Sequence, residues 1–133
     1  MRLLPLSLAL LLAAAPLAFA ENMTAEEFDT FTLGKTFYYG VNGREYGAEE
    51  YHPNRRVVWT FLDGRCDEGV WYEQDGMICF EYQTLEEVQC WTFREAPGGG
   101  LIANFENDPN TLELFEVQRT REPLQCIGPD VGV

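Results

Sequence analysis

The sequence predicts a mainly β protein. One short N-terminal helix precedes an antiparallel meander of about seven strands, closed as a small barrel or strongly curved half-barrel and held by two disulfides. Three observations carry this. Runs rich in aromatic and β-branched residues recur at short intervals from residue 35 to residue 118. Turn dipeptides such as Asp63-Gly64 and Asp75-Gly76 separate them, and short connections make sequential strands antiparallel neighbours. Four cysteines, an even number, follow an apolar leader that implies an oxidising destination.

The leader is MRLLPLSLALLLAAAPLAFA. Arg2 supplies a positive start, residues 3–17 are apolar apart from Ser7, and Ala18-Phe19-Ala20 is a small-x-small cleavage site. These features read as a secretory signal peptide over residues 1–20. A membrane anchor would need about 20 apolar residues and no cleavage site. Glu21, not Cys, stands immediately after the cleavage site, which speaks against lipoprotein modification. The expected location is periplasmic or secreted. Residues 21–133 form one mature β domain, with an aperiodic tail from about residue 120.

Every acidic residue lies after the leader, whereas Arg2 is lost with it. Eight basic residues then face 22 acidic ones, a formal charge of −14. That balance argues against nucleic acid and anionic membrane surfaces as partners. It permits a basic protein, a small cationic ligand or a divalent metal. Its simplest role is solubility.

The elements follow in order. Thr24 and Glu27 form a capping box, and Phe28 and Phe31, with Leu33 at the end, give an apolar helix face of about three turns. Gly34 is the expected stop. A helix this short must dock to persist. Residues 35–39 read as a strand. Residues 40–53 hold three Gly, Asn42 and Pro53 and read mostly as loop, anchored by Tyr46 and Tyr51. Strands follow at 55–62, 65–73, 77–82, 88–94, 101–106 and 111–118, with two-residue turns expected at Asp63-Gly64 and Asp75-Gly76.

Register selects the disulfides. A two-residue turn at Asp75-Gly76 sets Trp71 opposite Phe80 and Tyr72 opposite Cys79. Pairing Cys79 with Cys90 then sets Trp91 opposite Ile78. Trp71, Ile78, Phe80, Trp91 and Phe93 thereby share one core face. The remaining pair, Cys66 and Cys126, ties the tail to the sheet. No C-x-x-C pair or nearby His suggests structural zinc.

The strands carry Cys66-x-x-Gly69-x-Trp71, Ile78-Cys79-Phe80-x-Tyr82 and Cys90-Trp91, with Gly34-Lys35-Thr36 and Tyr46-Gly47 upstream. This order resembles the small exported alphaproteobacterial domains of unknown function that show Gly-x-Trp, Cys-x-x-Tyr and Cys-Trp in sequence. The resemblance spans residues 34–91 and implies no activity, because that family has no established one. Gly69-Val70-Trp71 is also similar to the Gly-x-Trp of lipocalins. There it lies near the first strand, so the likeness is an analogy for the lipocalin-like barrel expected here.

Catalytic chemistry is poorly supplied. The only serine, Ser7, leaves with the leader, the cysteines are expected to be paired, and His52 precedes Pro53 in a loop. Carboxylate pairs occur at Glu26/Glu27, Glu49/Glu50, Asp67/Glu68 and Glu86/Glu87. Paired carboxylates can hydrolyse glycosides across a cleft, but solvated faces are the expectation in so short a domain. Segments 107–110 and 63–68 lack the calcium-loop pattern and read as turns. The basic pair Arg55-Arg56 either balances acids or forms an anion site. Tyr38, Tyr39, Tyr46 and Tyr51 flank the glycine-rich stretch, a recognition-type composition. The binding candidates are therefore Tyr39, Tyr46, Tyr51, Arg55 and Arg56. No catalytic residue, metal site or cofactor is expected. The reading is a non-enzymatic exported β module, binding or structural, whose partner is a basic protein or a small ligand. The alternative is an inhibitor of a cationic secreted hydrolase, a lysozyme or a protease, to which its charge would steer it.

Overall fold

The structure, a computed structural model, describes residues 14–15 and 20–127. Apart from positions 14, 15 and 20, the expected signal peptide lies outside the described residues, as does the end of the tail.

Helix α1 spans Ala25–Thr32. Thr24 Oγ1 accepts the Glu27 N–H at 3.2 Å, the N-cap half of the expected capping box. The helix is shorter than the expected three turns. The chain leaves it at Leu33, which is exposed, and turns at Gly34 with φ 75°. Phe28 is fully buried and carries the docking. Its ring meets Tyr51, Trp71, Phe80 and Phe93 at centroid distances of 4.4–6.4 Å.

Eight strands follow: β1 (Thr36–Val41), β2 (Arg44–His52), β3 (Arg56–Thr60), β4 (Cys66–Gln74), β5 (Met77–Tyr82), β6 (Gln89–Glu95), β7 (Leu101–Phe105) and β8 (Glu113–Thr120). Each pairs antiparallel with the next, and β8 returns to β1, giving a closed barrel. Closure leaves no free sheet edge. Of the barrel and half-barrel alternatives, the closed barrel is the one formed.

Two expectations need correction. Residues 40–53 are not mostly loop, because they contain β2. Asn42 and Gly43, with φ 49° and 75°, make a two-residue hairpin turn, and a register shift at Tyr39/Gly40 absorbs the irregularity. Asp63-Gly64 is not a two-residue turn. Thr60 pairs with Cys66, leaving residues 61–65 as a wider loop. The Thr60 hydroxyl pins that loop by donating to the Arg65 carbonyl at 2.7 Å and accepting the Leu62 N–H at 3.0 Å. At Asp75-Gly76 the expected turn is present, with φ 53° and 76°.

The predicted register holds. Trp71 faces Phe80, Tyr72 faces Cys79, Ile78 faces Trp91 and Cys79 faces Cys90. Disulfides join Cys79 to Cys90 and Cys66 to Cys126, with Cα atoms 4.0 and 5.5 Å apart. Both suit an oxidising, extracytoplasmic environment. The 121–127 segment has no regular structure but is laced to the barrel wall. Glu122 accepts from the Thr36 hydroxyl at 2.8 Å, Leu124 N–H donates to Glu50 at 2.8 Å, and Ile127 N–H donates to the Gly64 carbonyl. The segment thus runs from one end of the barrel to the other.

The ends differ. α1 covers the end that holds the β2–β3, β4–β5 and β6–β7 hairpins. Connections 42–43, 61–65, 83–88 and 106–112 surround the other end, the mouth.

Candidate functional site

The barrel interior is filled at the helix end and hollow toward the mouth. The filled part packs Phe28, Phe37, Trp71, Ile78 and Leu101. Above it lies a cavity of about 200 Å³. Its floor is aromatic, since Tyr51, Phe80 and Phe93 touch both Phe28 and the cavity. Tyr46, Trp59, Tyr82 and Trp91 form much of the wall. Phe61 and Leu85 sit at the rim, 54% and 38% exposed, so the cavity opens to solvent there.

Strand alternation explains the lining. In β1 and β2 the pairs Tyr39–Gly47 and Phe37–Glu49 point inward, and Glu49 is paired in turn with Trp59 of β3. Gly47 and Gly69 are needed for the ring positions. A Cβ at Gly47 would run into the Trp59 indole, and one at Gly69 would lie 2.7 Å from Tyr82 Cδ1. The missing side chains let two large rings lie flat against the wall.

Glu49 is the unexpected member. It is 2% exposed and lines the cavity, where the sequence reading placed it on a solvated face beside Glu50. Glu50 does point outward, to His52 Nε2 at 2.9 Å and to the tail. Glu49 Oε1 accepts the Tyr82 hydroxyl at 2.9 Å, whereas Oε2 is buried with no hydrogen-bond partner among the described residues. Burial pushes the Glu49 carboxyl well above the usual carboxylate range; the Tyr82 hydrogen bond opposes this and the Asp67 charge adds to it. Asp67 lies near the mouth, where it accepts from the Thr84 hydroxyl and amide. Tyr39 and Tyr51 share a hydrogen bond between their hydroxyls at 3.0 Å. Burial raises the Tyr39, Tyr51 and Tyr82 phenols above their ordinary value, so all three stay protonated.

The five sequence candidates divide. Tyr39, Tyr46 and Tyr51 line the cavity; Tyr39 stands in the expected strand, whereas Tyr46 and Tyr51 do so from β2 rather than as loop anchors. Arg55 and Arg56 lie at the opposite end. Arg55 sits in a short 3-10 turn, not in the expected strand, and its guanidinium stacks 4.5 Å over the Trp71 ring. Arg56 is exposed at the start of β3. Sequence reasoning missed Glu49, Trp59 and Tyr82 as lining residues. The Tyr46-Gly47-Ala48-Glu49-Glu50-Tyr51 run lacks the apolar alternation that would have shown Glu49.

Among the described residues no three His, Cys, Asp or Glu side chains converge on a possible metal site. Among them no helix is long and apolar enough to cross a membrane. Comparison with known protein families, curated proteins and solved structures finds no match to this chain.

Proposed function

We propose that the protein is a non-catalytic binding module that holds one small, largely apolar molecule in the barrel mouth. The observation that carries this reading is the aromatic cavity of about 200 Å³ above a filled floor. Eight-stranded barrels either pack their interior with side chains or keep room for one small ligand. Protein interiors are otherwise close-packed, so a solvent-open hollow in a small domain argues for a guest. An apolar cavity of roughly 150 Å³ accommodates benzene, which sets the scale at about one ring.

Other features support the non-catalytic reading. The four cysteines are paired as disulfides, and His52 lies outside the barrel on Glu50. The leader and the disulfides support placing the module outside the cytoplasm.

Titration of the mature domain with propylbenzene and with indole tests this, read by tryptophan fluorescence and calorimetry. Trp59 and Trp91 stand in the wall and report occupancy. Saturable one-to-one binding is expected. Replacing Ala103, which also lines the cavity, with Trp should fill the hollow and abolish binding without loss of folding. Absence of binding by both probes to folded wild-type protein would refute the proposal.

A further inference from the structure

We infer that the cavity selects a small amphipathic amine, a one-ring apolar body bearing a protonated amino group, with Glu49 as its counter-charge. This rests on the binding reading above and names the ligand class.

Geometry carries the inference. Tyr82 occupies Oε1 of Glu49 and leaves Oε2 without a partner in the cavity lining. Buried polar atoms are nearly always hydrogen-bonded, because leaving one bare costs free energy. A donor brought by the ligand would satisfy it. The surroundings decide which donor. Among the described residues Glu49 is the one carboxyl of the lining, and no Lys, Arg or His lines the cavity. The other titratable groups that act on it are Asp67, Tyr82, Tyr39 and Tyr51, and none brings a positive charge. An anionic ligand would find no positive charge in the lining to pair with. A cation finds the aromatic rings of Tyr46, Trp59 and Trp91 as well as the carboxylate, a lining of the kind that favours ammonium groups. The −14 charge of the mature chain attracts cations toward the mouth.

The proton balance is simple. In the empty cavity burial favours the neutral Glu49 carboxyl. When R–NH₃⁺ enters, the Glu49 O–H bond breaks and its proton goes to solvent. The ammonium keeps its three hydrogens and donates one to Oε2. The charge-assisted hydrogen bond replaces the vacancy. No other bond is made or broken.

The test is calorimetric titration of the mature protein with three probes of one shape: 2-phenylethylamine, propylbenzene and 3-phenylpropionate. The amine should bind more than about tenfold tighter than propylbenzene, and phenylpropionate should be the weakest. Amine binding should release protons, read from the dependence of the enthalpy on buffer ionisation. Glu49→Gln should lose about tenfold or more in amine affinity and keep its propylbenzene affinity, which shows that the variant is folded with its cavity intact. Should Glu49→Gln misfold, the proton release and the probe order in wild type decide the matter. Propylbenzene binding as tightly as the amine would overturn the amine assignment while leaving the cavity reading standing. So would amine affinity unchanged in Glu49→Gln. If none of the three binds, the cavity reading itself fails and takes this inference with it.

Discussion

Tyr82 donates its phenolic hydrogen to Glu49 at 2.9 Å, and its ring reaches that position because the facing residue is Gly69. A Cβ at Gly69 would press on the Tyr82 ring and the Glu81 carbonyl. One glycine in β4 therefore sets the only hydrogen bond that a fully buried carboxyl of β2 makes among the described residues. The Gly69-x-Trp71 motif thus has two duties. Its glycine serves the cavity and its tryptophan serves the filled core.

Stability should fall as pH rises, through Glu49. Its folded-state pKa is raised above the unfolded value, mainly by burial. Between those two values the native state holds more protons than the unfolded state, so the contribution is present at low pH and lost on the way up. Glu49→Gln removes the titration. The variant should show a flatter profile from about pH 5 upward and greater stability than wild type at about pH 8. Tyr82→Phe removes the hydrogen bond that holds the pKa down and should extend the fall in stability to higher pH than in wild type. Urea midpoints across this range check both. Parallel profiles for wild type and Glu49→Gln would count against a buried, titrating Glu49.

Trp71→Ala should cost about 3–5 kcal/mol. Trp71 is 3% exposed, meets Phe28 edge-on at 5.2 Å, and lies under the Arg55 guanidinium. It belongs to the filled half and not to the cavity wall. Thermal unfolding is the measurement, and a nearly unchanged melting temperature would contradict its place in the core.

The two disulfides should differ in value. Cys66–Cys126 spans 60 residues and Cys79–Cys90 spans 11. In the chain-entropy picture these loops are worth about 4 and about 3 kcal/mol. Replacing Cys66 and Cys126 together by Ser should release the 121–127 segment to proteolysis and leave the Cys79–Cys90 bridge in place. Peptide mapping without reduction reads both results. A Cys66–Cys79 link in wild type would be the contrary finding.

Gly47→Ala should disturb the wall more than a single methyl suggests. The new Cβ would occupy the place of the Trp59 ring, which must move into the cavity or out toward the rim. Overpacking of this kind costs about 1–3 kcal/mol. Denaturant midpoints give that cost, and a shifted tryptophan emission maximum reports the ring's new surroundings. An unchanged midpoint and spectrum would show that the ring has room to spare.

The sequence reading succeeded where local rules coincide. Asp75-Gly76 demands a tight turn, the turn fixes the register of Trp71 and Phe80, and the register fixes Cys79 against Cys90. Each step is short-range. β2 failed the same treatment because its inward positions are Gly47, Glu49 and Tyr51, a small, a charged and an aromatic residue. Those residues make sense only once Trp59 needs the space over Gly47 and Tyr82 meets Glu49 from a distant strand. Three cavity tyrosines were legible as aromatics beside glycines. The carboxyl was not, because nothing local distinguishes Glu49 from Glu50. The Asp63-Gly64 turn misled because the Thr60 hydroxyl at the end of β3 bonds across the segment and holds a longer loop.

The pairing of β1 with β8 has a consequence for how such a molecule comes into being. Thr36 sits against Thr120, so the first strand to be synthesised completes its pairing only with the last. Until β8 arrives, β1 and β7 are both open edges, and the socket around Phe28 has a gap in its wall. Cys126 comes later still and meets Cys66 only after the barrel has nearly closed. Non-local pairing of this kind folds slowly, because loop entropy is lost before the contacts repay it. Trimming before Glu113 would therefore remove both the β1–β8 and the β7–β8 pairings and leave the barrel open.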